Sequence, residues 1–155
     1  MIDNLKAELY EAAAMTFQEM GFVFLTEELE AEQIKAVFEA GVSLEFLGPF
    51  NGGLIVRVYG SMLPNIAANM MGIEGNPTVQ FQHDALGEIA NVICGNVLPR
   101  IGGANEIFHI SAPDAAREYE KLLQRFPGEP AAQVTLGFEG GRAEISIYLT
   151  DERAA

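Results

Sequence analysis

The sequence predicts an α+β fold built around antiparallel hairpins, and three observations carry that expectation. Two β-rich runs meet at Asn51-Gly52-Gly53 and two more at Glu139-Gly140-Gly141, each pair reading as a hairpin. Two long stretches, 3–20 and 84–99, carry apolar residues at helical rather than strand spacing. Helix, strand, helix and hairpin then occur twice in that order, with the Gly-Gly turns 88 residues apart, a loose internal repeat. At 155 residues the chain fits one domain, 1–155, long enough to bury a core.

In chain order, the first helix spans about 3–20 and buries Leu5, Leu9, Ala12, Ala13 and Phe17, with Gly21 as its stop. Residues 22–25 read as a short buried strand, and Thr26 caps a helix running through Glu27 and Glu28 to Ala40. Residues 42–50 and 54–59 form the first hairpin, its glycines supplying positive φ. Ser61 caps the next helix, whose Pro64 falls in the first turn, where a missing N–H does no harm. That helix buries Ile66, Met70 and Met71 and ends at Gly72, and residues 73–82 form a connecting loop. After the second long helix, residues 99–103 break the chain and 106–110 form a strand. Pro113 opens a helix to about Arg125, with Ala116, Tyr119, Leu122 and Leu123 on its apolar side. Residues 132–138 and 142–149 make the second hairpin, whose last strand sets Ile145, Ile147 and Leu149 against Glu144, Ser146 and Tyr148. Residues 151–155 are a frayed tail.

The helix opening at Asp84 organises the chain. Leu86, Ile89, Ala90, Ile93 and Val97 form its core stripe. Asp84, Glu88, Asn91 and Gly95 line up on another, polar face, with a carboxylate and a carboxamide one turn apart. Asp84 suits two roles by position, an N-cap or a contact on that face. Gly87 and Gly95 each cost a helix about 1 kcal/mol relative to alanine, and close approach of another protein's backbone would explain them. A merely solvated helix face is the competing reading of Glu88 and Asn91.

Composition narrows the function classes. The net charge of −13 argues against nucleic-acid binding, which relies on Lys and Arg neutralising phosphates. It also disfavours anionic membranes, and serves either solubility or encounter with a basic patch on a partner. A single cysteine, Cys94, cannot form an intramolecular disulfide. No apolar run is long enough to span a bilayer, and the first residues do not resemble a signal peptide, so a cytoplasmic location is expected. Cys94 reads as a packing residue, and His83 and His109 are not at metal-ligand spacing, so no metal site is expected.

The run Asp84-x-x-x-Glu88-x-x-Asn91 resembles the signature helix of the CheC/CheX family, phosphatases that dephosphorylate response regulators in chemotaxis signalling, and the likeness is closest to CheX. Pro113, 22 positions after Asn91, resembles the proline that follows the family motif. The likeness runs from about Phe46 to Leu149, through Gly52-Gly53-Leu54-Ile55-Val56 and Ala67-Ala68-Asn69-Met70-Met71-Gly72. It implies a two-layer fold in pseudo-duplicated halves, an antiparallel sheet with two long helices on one face. It implies Glu88 and Asn91 as the catalytic pair, Asn91 orienting the attacking water and Glu88 bridging to a lysine of the receiver. Asp84, Gly87 and Gly95 would then face the partner, a phosphorylated CheY-like response regulator that brings its own Mg²⁺; this chain would bind no cofactor itself. The resemblance also implies a homodimer. Two-site relatives carry Glu and Asn on both long helices, whereas here Glu11, 77 residues before Glu88, is followed by Ala14 where Asn91 has its counterpart, so one site per chain is expected. The alternative is a non-catalytic receiver-binding or flagellar-switch-like module of the same fold, and the receiver could also lie outside chemotaxis.

Overall fold

Alternation along four strands gives the sheet one apolar face and leaves three helices to cover it. The structure, a computed structural model, describes residues 4–103 and 105–150; the helix start at residue 3 and the tail 151–155 lie outside the described residues. The elements are α1 (Leu5–Gly21), α2 (Ala31–Ile34), β1 (Phe38–Leu47), β2 (Gly52–Gly60), α3 (Leu63–Met71), α4 (Val79–Gly102), β3 (His109–Ile110), β4 (Asp114–Ala116), α5 (Tyr119–Leu123), β5 (Ala132–Phe138) and β6 (Gly141–Leu149). The sheet is antiparallel, in the order β3-β1-β2-β6-β5, with β4 also pairing to the outer edge of β1. The two hairpins, β1-β2 and β5-β6, join through a continuous β2–β6 ladder from Gly52↔Leu149 to Gly60↔Gly141.

Val42, Leu44, Phe46, Leu54, Val56, Val58, Val134, Leu136, Phe138, Ala143, Ile145 and Ile147 all point to the covered face, where they meet α1, α3 and α4 in one core. The α+β, two-layer expectation is met, and so is the duplication. Val42-Ser43-Leu44-Glu45-Phe46 and Val134-Thr135-Leu136-Gly137-Phe138 are matching strands, since Val42 pairs with Val56 as Val134 pairs with Ile145. Each long helix packs on the strand of the other half, α1 on β5 and α4 on β1. On the opposite face a small cluster of Ile55, Leu122, Phe126 and Tyr148 seats α5.

Several local expectations are corrected, each by a tertiary contact. The helix expected over 27–40 is one turn, α2, and the chain from Phe38 joins the sheet opposite Tyr59. The Gln33 amide donates to the Phe138 carbonyl (2.7 Å), and Arg142 donates to the carbonyls of Gln33 and Ile34, which holds that turn in place. In the segment 22–25 only Leu25 makes a β-bridge, to Phe138, while Phe22 and Phe24 are exposed. Phe22, rather than Gly21, takes the left-handed position that ends α1 (φ 54°). Gly52 and Gly53 are not turn residues: they lie in β2, where side chains would collide with the Tyr148 carbonyl and the Phe126 ring, and the turn falls at 48–51. Gly140 does take positive φ in the second hairpin. Ser61 does not cap α3; Glu39 reaches from β1 and accepts hydrogen bonds from the N–H groups of Met62 (3.2 Å) and Leu63 (3.3 Å). Met71 is exposed, whereas Ile66 is buried and Met70 packs on the core. The strand over 106–110 shortens to β3, and the helix expected from Pro113 becomes β4 followed by the short α5.

Candidate functional site

Helix α4 is longer than its motif. Thr78 is the N-cap, its hydroxyl accepting from the Phe81 N–H (3.2 Å), so the helix begins at Val79 and not at Asp84. Asp84 therefore sits in the second turn, where its carboxylate accepts a hydrogen bond from the Gln80 side-chain amide (2.8 Å). The N-cap reading of Asp84 is overturned. The helix also continues through Pro99 to Gly102: proline lacks the N–H that would bond to the Gly95 carbonyl, but one lost bond near the end leaves the last turn intact.

The core stripe is as expected, with Leu86, Ile89, Ala90, Ile93 and Val97 all fully buried. On the other face Glu88 is exposed and Asn91 partly so, one turn apart. Asp84, Gly87, Glu88 and Asn91 line an open depression of about 410 Å³, closed on one side by Pro113 and Ala115 of the β4 segment. Gln80 and His83 line it too, and sequence reasoning missed them because it began the helix at Asp84. Reading Thr78 as the cap would have placed both on the motif face.

The two glycines part company. Gly87 is buried, and a Cβ there would lie 3.1 Å from Cβ of Pro113, so its small size admits this chain's own proline as the wall of the depression. Gly95 is exposed, and no described residue lies within 4 Å of a Cβ there.

The first half offers a contrast. A larger groove of about 1000 Å³ lies between α1 and β5, lined by Tyr10, Glu11, Ala14 and Val134 among others. Glu11 is bonded to Arg100 (2.9 Å), and Ala14, at the position that matches Asn91, has no polar side-chain atom to hold a water.

Burial pushes the Cys94 thiol up to about 12, so it stays a protonated packing residue at neutral pH and not a nucleophile. His109 is exposed on β3 and lines neither groove. Among the described residues no His, Cys, Asp and Glu side chains are gathered as metal ligands, and no helix is long and apolar enough to cross a membrane.

A chemotaxis protein CheX from Desulfovibrio desulfuricans shares the fold with a TM-score of 0.75 at 14% identity, covering 94% of this chain and 99% of the other. CheX of Borrelia burgdorferi, solved in a CheX–CheY–BeF3–Mg²⁺ complex, gives 0.70 at 18% identity over 96% and 99%. FliY of Thermotoga maritima gives 0.60 at 18% identity over 97% and 88%. No curated protein matches the sequence. The family pattern described as chemotaxis phosphatase CheX matches residues 40–136, more than half of the chain and all of the α4 site. This protein belongs to the CheX family.

Proposed function

We propose that this protein hydrolyses the aspartyl phosphate of a CheY-like response regulator. The observation that carries the reading is the solvent-facing pair Glu88 and Asn91, one turn apart on α4 and opening into a depression that no described residue fills. An acyl phosphate needs no strong base for hydrolysis; it needs a water held in line with the phosphorus–oxygen bond that breaks. The Asn91 carboxamide can accept from that water and donate to a phosphoryl oxygen, fixing its orientation without taking a proton. Water oxygen then bonds to phosphorus, the aspartyl oxygen leaves as carboxylate, and inorganic phosphate is released. The receiver brings Mg²⁺ and a lysine to neutralise the phosphoryl oxygens. Glu88, one turn away, engages that lysine and sets the register of docking. Asp84, held by Gln80, and Gly95 complete the facing surface.

The same fold occurs in the FliY of Thermotoga maritima and in the FliM middle domain, and the second reading is a receiver-binding or flagellar-switch-like module without hydrolysis. Retention of the Asn91 amide favours the enzyme. We place the reaction in the cytoplasm, where phosphorylated receivers act, and the protein as a homodimer. The outer edge of β1 is already covered by β3 and β4, so β5, covered by Leu25 and Thr26 only at its Gly137–Phe138 end among the described residues, is the edge left for a second sheet. Phosphate release from a panel of phosphorylated receivers, with and without this protein, tests the function: acceleration of at least one supports it, and binding without acceleration selects the module.

A further inference from the structure

Helix α4 carries a second strip beside the polar one. At roughly 100° per residue, Phe81, Val92 and Pro99 fall within about 20° of one another, on the flank of Glu88 opposite Asn91. The Asn91 side is walled by Pro113 and Ala115, and neither Phe81 nor Val92 lines that depression. Phe81 is 46% exposed and takes no part in the apolar core, Val92 is partly buried and Pro99 exposed. Val79 is exposed to the same degree but lies across the helix, so exposure near the N-terminus alone does not define the strip.

An aromatic ring half in water at the edge of a charged contact is the arrangement of an interface anchor, with apolar contact supplying affinity and the adjacent charges the register. Phe81 stands two turns, about 10 Å, ahead of Glu88 along the axis. We propose that Phe81, backed by Val92, is the apolar anchor on which the receiver docks, and that receivers accepted here present an apolar side chain about 10 Å from the lysine that meets Glu88. The inference rests on the docking role of Glu88 above. It assigns Phe81 to choice of partner and leaves the chemistry to Asn91.

The test measures phosphate release against receiver concentration, and binding of the beryllofluoride-activated receiver in parallel, for wild type, Phe81→Ala, Phe81→Leu and Glu88→Ala. Phe81→Ala should raise KM and Kd about tenfold or more with kcat within about twofold, and Phe81→Leu should recover most of the loss. The melting temperature should not change, because the ring lies outside the core. Added salt should leave the Phe81→Ala defect in place while shrinking that of Glu88→Ala, since salt screens charges and not apolar contact. A KM and Kd within twofold of wild type overturns the proposal, as does a fall in kcat at unchanged Kd. Loss of self-association in Phe81→Ala, seen by light scattering, with receiver affinity intact assigns the strip to a second copy and also overturns it. If wild type releases no phosphate, hydrolysis is what fails, and the binding arm still decides the role of Phe81.

Discussion

At the scale of single residues, chemistry and fold separate cleanly along α4. Leu86, Ile89 and Ile93 hold the helix to the sheet, while Glu88 and Asn91 hold nothing in this chain together among the described residues. Glu88→Ala is therefore expected to leave the melting temperature unchanged and to raise apparent KM, since it removes a charge-assisted contact to the receiver lysine. A fall in the limiting rate alone, at unchanged dependence on receiver concentration, would count against a docking role. The glycines give a sharper contrast. Gly87→Leu must displace Pro113 and should cost about 1–3 kcal/mol, seen as a lower melting temperature. Gly95→Leu meets nothing and should be neutral or gain up to about 1 kcal/mol from better helix propensity, yet lose activity if the partner's backbone comes close. Thermal melts and phosphate release on the two variants decide both points.

At the scale of elements, the sequence was most legible where local pattern and tertiary packing agree. The buried stripe of α4, the alternation in β6 and the Glu88–Asn91 pair were visible because 3.6-residue and two-residue periods survive folding unchanged. It was least legible where a neighbour decides. Residues 36–40 read as helix, but Phe38 finds Tyr59 across the ladder and the segment extends. Pro113 reads as a helix start, but its ring seats against Gly87 and the residues after it complete the edge of β1. The α3 cap was misassigned because its acceptor, Glu39, is 23 residues away from Met62 in sequence. Glu39 also offers a pH test. Burial raises its carboxyl pKa more than its two N–H contacts lower it, so the folded chain holds that proton more tightly than the unfolded one. Its contribution to stability is then present at acid pH and falls as pH rises through the raised pKa. Glu39→Gln keeps an acceptor and removes the titration, so urea unfolding should show the variant gaining on wild type between about pH 4 and pH 7. A constant difference across that range would mean the burial cost is not felt.

At the scale of the whole molecule, two similar halves share a sheet, but only one keeps the polar constellation. In the first half Glu11 is bound to Arg100, and Ala14 stands where an amide would be, so Glu11→Ala should leave the rate of hydrolysis unchanged. The net charge of −13 gives the molecule a field that favours a partner presenting lysine, and receiver affinity should weaken as ionic strength rises. Behind these features stands the claim that Asn91 orients a water against a phosphoaspartate. It is tested most directly by the rate of phosphate loss from a saturating phosphorylated CheY-like receiver, compared between wild type and Asn91→Ala. Asn91→Ala should fall to the receiver's own unassisted rate while still binding the activated receiver with wild-type affinity; a rate within a few-fold of wild type would contradict the water-orienting role.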